Sequence, residues 1–256
     1  MVIGRRDLGE SDRLVEFYTL EFGKVRGVAK AARRTRSRFG GALELFTLGE
    51  LVFFDTGRSE LVRVDHFDIV TPFVEVREHL ERLGQGAWAI ECVARLSAER
   101  DAHPALFRLL ARTIGTLGRS ERPAWVSVCF ALRAIDLLGH RPRLDRCLSC
   151  GRAYPFPDAS LDVALGSLAC ADCAKGADAI ALSGSAVGAL IRLRTLRWDD
   201  ALRLTLAPDL GRELGAVVEG MVARLVGQPP RASRFLGQVR RSLAHVAEPT
   251  APRVRR

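Results

Sequence analysis

Up to about Val74 apolar and polar residues alternate in short runs, with Gly, Asp and Ser at the breaks, which is the pattern of β-strands. The runs Arg13–Leu20, Gly23–Ala29, Leu48–Phe54 and Glu60–Val70 contain no proline, and Asp55-Thr56-Gly57-Arg58-Ser59 between the last two reads as a hairpin loop. Several short strands at this spacing predict a small closed barrel. In the second run the period of two puts Lys24, Arg26, Val28 and Lys30 on one face and the small apolar residues Val25, Gly27 and Ala29 on the other, against the core. Only Met1, Val2 and Ile3 precede Gly4, so an opening strand is expected to be clipped, or to have its true start upstream.

From about Val76 the period becomes helical. Trp88, Cys92 and Leu96 recur at i, i+4 and i+8, and Trp125, Val128, Cys129 and Leu132 repeat that stripe. Leu210, Leu214, Val217, Met221 and Leu225 form another core face, and Ser183 or Ser185 is placed to cap a helix running through Leu193. These aromatics and both cysteines read as core, with Cys92 and Cys129 as buried, inert thiols. Four regions follow: a strand domain over 1–75, a helical domain over 76–144 and 177–240, an insertion over 145–176, and a disordered basic tail over 241–256.

The insertion carries the sharpest chemistry. Cys147 and Cys150 are followed after 19 residues by Cys170 and Cys173, two Cys-x-x-Cys knuckles at the spacing of a zinc ribbon. Four thiolates fill a tetrahedral shell and leave no open position for water, so one structural Zn2+ is expected. The stretch between the knuckles is too small to bury a core without the metal.

Charge adds a second feature. The chain of 256 residues has a net charge of +9, but residues 1–75 hold 12 basic and 12 acidic side chains and are neutral overall. Within them Lys24, Arg26, Lys30, Arg33, Arg34, Arg36 and Arg38 form an acid-free run that ends in Phe39-Gly40-Gly41. Such segregation makes a positive surface suited to phosphate contact. No apolar run reaches the roughly 18 to 20 residues of a membrane span, and no signal-peptide apolar region opens the chain, so a reduced cytoplasmic setting is expected. None of the three lysines lies in a P-loop, and the five histidines form no His-Glu-x-x-His pair. Asp199-Asp200 reads as a turn, although carboxylates brought together from elsewhere in the chain would suit a nuclease.

The runs Arg5-Arg6-Asp7-Leu8-Gly9-Glu10-Ser11-Asp12-Arg13, Gly23-Lys24-Val25-Arg26-Gly27 through Arg34, and Ser37-Arg38-Phe39-Gly40-Gly41-Ala42-Leu43-Glu44 resemble the bacterial recombination mediator family RecO. Gly57-Arg58-Ser59-Glu60-Leu61 and a four-cysteine ribbon inside a helical domain extend the likeness over nearly the whole chain. The resemblance implies an α+β multidomain architecture: an N-terminal OB-fold barrel and an all-α domain with the ribbon inserted. It implies a non-enzymatic role in DNA repair and recombination, at the nucleoid in the cytoplasm. That role comprises binding single- and double-stranded DNA, annealing complementary strands and, with RecR and in some pathways RecF, loading RecA onto DNA coated by single-strand-binding protein. It assigns DNA contact to Lys24, Arg26, Lys30, Arg33, Arg34, Arg36 and Arg38, with Phe39 either stacking on a base or packing beneath the loop. The acidic, apolar-ended tail of the single-strand-binding protein would need a basic-rimmed pocket, expected near Arg133, Arg141 or Arg143. A zinc-ribbon nuclease and an RNA-binding OB protein remain as alternatives.

Overall fold

In the computed structural model, which describes residues 1–57, 59–174 and 179–247, five strands form the N-terminal sheet. They are β1 (Val2–Leu8), β2 (Asp12–Thr19), β3 (Gly23–Ala29), β4 (Leu48–Phe54) and β5 (Leu61–Thr71), in the order β1-β2-β3-β5-β4. Neighbours are antiparallel except β3 and β5. β1 runs its full length through Gly4, so the short opening strand expected from Met1, Val2 and Ile3 is extended by the charged residues after it.

The expected closed barrel does not form, and the sheet is a partly open, OB-like one. Between the outer strands, Val2 N donates to Thr47 O (2.9 Å) and Phe46 N to Val2 O (3.0 Å), just ahead of β4. Beyond that seam β1 carries Arg5, Arg6 and Asp7, all exposed, and a charged edge resists further pairing. Inside the sheet Val15, Phe17, Ala29, Val64 and Phe67 pack with Phe39 and Leu43 from the β3–β4 connection.

The chain then turns helical through α1 (Val74–Arg77), α2 (Leu80–Leu96), α3 (Pro104–Leu117) and α4 (Pro123–Leu137). A second sheet follows, of β6 (Arg143–Cys147), β7 (Ala159–Asp162), β8 (Ser167–Ala169) and β9 (Ala179–Leu182), in the order β6-β8-β7-β9. Helices α5 (Gly184–Thr195), α6 (Trp198–Arg203), α7 (Pro208–Leu225) and α8 (Arg231–Ala247) complete the described chain. Pro104, Pro123 and Pro208 open their helices where a missing N–H costs nothing, and the Ser183 hydroxyl accepts from Ala186 N (3.1 Å) as the cap of α5.

One continuous core links the regions. Trp88, Ile114, Phe130 and Val217 form its helical centre, Tyr18 and Phe46 enter from the N-terminal region, and Leu161 and Leu168 from the second sheet. The ribbon is therefore not an appendage. Cys92 and Cys129 lie in this core as expected, and burial pushes the Cys129 thiol up to about 11 and that of Cys92 well above its ordinary value.

The C-terminus differs from the expected pattern. α8 continues to Ala247, seven residues into the stretch 241–256 assigned to a disordered tail, while 248–256 lie outside the described residues. Ala232, Leu236 and Val239 are buried at i, i+4 and i+7, and Phe235 and Leu236 fill the space that Gly84 leaves on α2. Arginines between these positions disguise the stripe in the sequence.

Candidate nucleic-acid interface and metal centre

β3 alternates as its sequence predicts: Val25, Gly27 and Ala29 are buried, and Lys24, Arg26 and Val28 share the other face. That face is half-covered rather than open, because the end of α2 and the residues after it lie along it. Lys24 Nζ donates to Ala94 O (2.7 Å) and Ser97 O (3.2 Å) and pairs with Glu99 (3.2 Å), leaving its side chain 13% exposed. An ammonium at the carbonyl end of a helix is stabilised by the helix dipole. Arg26 pairs with Glu60 (2.9 Å) and Glu99 (3.6 Å). At Gly23, with φ of +62°, an added Cβ would lie 2.0 Å from Asp101 O, so no side chain fits this junction. Lys24, grouped with the phosphate cations by strand parity, is thus engaged in joining the two domains. Lys24→Ala is expected to destabilise the protein by about 2–4 kcal/mol, since hydrogen bonds from a charged group contribute roughly 1.5–3 kcal/mol each. Chemical denaturation checks this as a fall in midpoint.

The connection from Lys30 to Thr47 is a succession of turns held from below. Arg33 N donates to Ser11 O, Ser37 N to Arg34 O and Ala42 N to Phe39 O. Ala32, Phe39, Ala42, Leu43 and Phe46 are buried on its underside. Phe39, 3% exposed, packs beneath the loop, and the Arg38 guanidinium lies over its ring at 5.1 Å. The cations are left on top: Arg33, Arg34, Arg36 and Arg38 are all exposed, as is Lys30. Arg33 donates to Gly9 O (2.9 Å) and pairs with Asp7 (3.3 Å), and Arg38 pairs with Asp65 (3.7 Å). Arg34 and Arg36 make no ion pair among the described residues. Five of the seven predicted cations therefore share this loop, and two stand at the domain junction.

Asp12 sets where the loop begins. Its carboxylate accepts from Lys30 Nζ (2.7 Å), Ala31 N (2.8 Å) and Ser11 Oγ (3.1 Å). The Lys30 bond, followed by that from Ala31, lowers its pKa from 3.8 to about 2. A carboxyl depressed on folding contributes stability that is full above its unfolded pKa and lost as pH falls through the folded one. Acid titration of stability between about pH 4 and pH 2 is therefore expected to be shallower in Asp12→Asn than in the parent, read as the denaturation midpoint against pH.

The four knuckle cysteines converge, with all their sulfurs within 4.8 Å of one another. Cys147 and Cys170 are buried in the shared core, Cys173 is half-buried and Cys150 exposed. Cys150 Sγ and Cys170 Sγ stand 3.8 Å apart, and a tetrahedron with metal–sulfur bonds of about 2.3 Å has edges of about 3.8 Å. Backbone N–H groups of Cys150 and Cys170 draw the Cys147 thiol down to about 6, whereas hydrogen bonding to the Cys170 sulfur, then burial, pushes Cys173 up to about 12. Four sulfurs this close cannot all be thiolates without a cation among them. The cluster fits a metal ion and its donor set is compatible with zinc. Among the described residues no other group of three or more ligand side chains converges in this way. Asp199 instead binds Arg112 (2.9 Å), and Asp200 pairs with Arg203 (3.7 Å).

A partly open OB-like sheet with a braced basic loop, joined to helices that enclose a metal-competent cysteine ribbon, defines a multidomain protein of the OB class. Family models for the recombination protein O N terminal and the recombination protein O C terminal match residues 1–73 and 77–234. The chain is 34% identical over 241 residues to a DNA repair protein RecO of Anaeromyxobacter sp. (strain K), covering 93% of this chain and 94% of that one. It is 34% identical over 245 residues to the DNA repair protein RecO of Geobacter metallireducens, covering 93% and 96%, and 32% identical over 240 residues to that of Myxococcus xanthus, covering 93% and 96%. The chain belongs to the RecO family of DNA repair proteins. Among the described residues no helix is long and apolar enough to cross a membrane.

Proposed function

We propose that this protein is a recombination mediator that works by binding and carries out no covalent chemistry. It engages single- and double-stranded DNA through Lys30, Arg33, Arg34, Arg36 and Arg38, anneals complementary strands, and helps load RecA onto DNA coated by single-strand-binding protein, together with RecR and RecF. It does so at the nucleoid, in the cytoplasm. The observation that carries this reading is the loop, whose apolar underside is locked in the core while its guanidinium groups face solvent. Two DNA strands repel through their phosphates, and a fixed row of cations that screens both lowers that barrier without ATP. Cys147, Cys150, Cys170 and Cys173 hold one zinc ion, which supplies cross-linking of the ribbon when bound and leaves no position for water.

The acidic tail of the single-strand-binding protein docks in a cleft of about 530 Å³ between β6 and α5. Arg141 and Arg143 are exposed there beside the exposed Ile191 and give it a basic edge, with Asp145 also on the lining, while Arg194, 10% exposed, is held beneath them by Pro142 O (2.8 Å) and Asp136 (3.5 Å). Arg133 does not belong to that edge: it donates to Cys129 O and Leu196 O (both 3.0 Å) and lies 5.2 Å over the Trp198 ring. Annealing without ATP, on bare strands and on strands coated with single-strand-binding protein, tests the reading. The parent should anneal both, and Ile191→Glu should retain the bare-strand rate while losing about tenfold on coated strands, the effect of about 1.4 kcal/mol in tail affinity. A parent unable to anneal either substrate would sink the mediator reading; equal rates for Ile191→Glu on coated strands would remove the tail from this cleft.

A further inference from the structure

The four knuckle cysteines differ in what covers them. Cys147 and Cys170 are buried in the same core as Leu144, Leu161 and Leu168, and Cys173 is half-buried. Cys150 alone of the four is exposed, as is every residue of the turn from Leu148 to Ala153 that carries it. The backbone explains the contrast. Cys147 ends β6, where it pairs with Leu168 of β8, and Leu148 N donates to Leu168 O (2.9 Å). Beyond that point Gly151 N donates to Cys147 O (3.0 Å), closing a turn in which Gly151 has φ of +75°. The strand holds the first sulfur inward and the turn lifts the second to the surface.

The exposed sulfur has a close neighbour. Cys150 Sγ and Cys170 Sγ stand 3.8 Å apart, so an approach of roughly 2 Å would bring them to the length of a disulfide bond. A cysteine held as a thiolate, open to solvent and beside a second sulfur, is the kind that oxidants select. The two remaining cysteines of the chain provide the contrast, since Cys92 on α2 and Cys129 on α4 are buried among helices.

We propose that Cys150 is a site of reversible oxidation by hydrogen peroxide, that Cys170 resolves it to a disulfide, and that this pair controls whether the ribbon keeps its metal. The inference rests on the zinc ion assigned above to the four cysteines. The Cys150 thiolate attacks one peroxide oxygen, the O–O bond breaks, and hydroxide leaves, making Cys150 a sulfenic acid. The Cys170 thiolate then attacks the Cys150 sulfur; an S–S bond forms, the S–O bond breaks, and a second hydroxide leaves. The two sulfurs together lose two electrons to the peroxide, and two protons from solvent convert both hydroxides to water. Cys147 and Cys173 are then the only thiolates left, too few to fill a tetrahedral shell, so the ribbon releases its metal. A thiol reductant returns both sulfurs to thiolates and restores the donor set.

The test uses the full chain, reduced and loaded with zinc, with hydrogen peroxide as the probe. Zinc release to a chromogenic chelator, free-thiol count and peptide mapping are followed together. The parent is expected to release its zinc as it loses two of its six thiols, with Cys150 and Cys170 in the mapped disulfide and Cys92 and Cys129 still reduced. Reduction should restore zinc binding. Cys150→His keeps a fourth zinc donor that forms no disulfide, and its release should be at least about tenfold slower. Dimedone, which traps sulfenic acids, should label Cys150 in the parent, a readout independent of how the variant folds. Zinc kept by the parent through peroxide, a mapped disulfide without Cys150, or release at the parental rate from zinc-loaded Cys150→His would each overturn the proposal. A parent with no zinc before peroxide is added would overturn the metal assignment itself, and this inference with it.

Discussion

Replacing Cys147 and Cys170 with serine is expected to take bound zinc from one equivalent to none and to lower the thermal midpoint by roughly 10–15 °C. The scale follows from the geometry. Structural zinc contributes of order 10 kcal/mol in isolated zinc modules, and here the ribbon shares its core with the helices, so part of its order survives metal loss. A loss of about 4 kcal/mol corresponds to that shift at this chain length. Both sulfurs are buried, so serine hydroxyls would also be desolvated there. Cys150→Ser separates the two causes, because Cys150 is exposed and its replacement removes a ligand with little disturbance of packing. Metal analysis with calorimetry on both variants checks the assignment. Zinc retained by the double variant would contradict it.

Reversing Arg33, Arg34, Arg36 and Arg38 to glutamate should have the largest effect on function. Each phosphate contact contributes about 0.7 to the salt slope for single strands and about 0.9 for duplex. Loss of four contacts therefore flattens the single-strand slope by about 3 and reduces affinity at moderate salt by two orders of magnitude or more. Annealing should fall to the spontaneous rate while zinc content and helical circular dichroism remain those of the parent. The loop is anchored by Ala32, Phe39, Ala42 and Leu43, none of which is altered, so the variant is expected to fold. Full annealing by it would remove the loop from the mechanism.

The sequence was most legible where a local rule decided the outcome. The two Cys-x-x-Cys knuckles, the alternation along β3 and the Trp125–Cys129 stripe each follow from spacing within a single element. It was least legible where distant segments meet. Nothing near Lys24 distinguishes it from Arg34, because the groups that take it out of solvent are the carbonyls of Ala94 and Ser97, 70 and 73 residues later. The open seam between β1 and β4 was hidden for a similar reason: strand period says nothing of which edges find partners. The helical domain expected through 240 stops short of the end of α8, because Arg231, Arg234 and the cations after them dilute a stripe that becomes plain only beside Gly84 on α2. Phe39 could equally have faced a base or the core, and the underside of the loop decided in favour of the core.

The division of labour among the seven cations is the central claim: those on the loop meet phosphate, and Lys24 joins the domains. The salt dependence of single-stranded DNA binding tests it most directly, measured for the parent, for Arg34→Glu with Arg36→Glu, and for Lys24→Met. The account predicts that the slope flattens by about 1.4 in the loop variant and stays at the parental value in Lys24→Met. An unchanged slope in the loop variant, or an equal flattening in Lys24→Met, would contradict it.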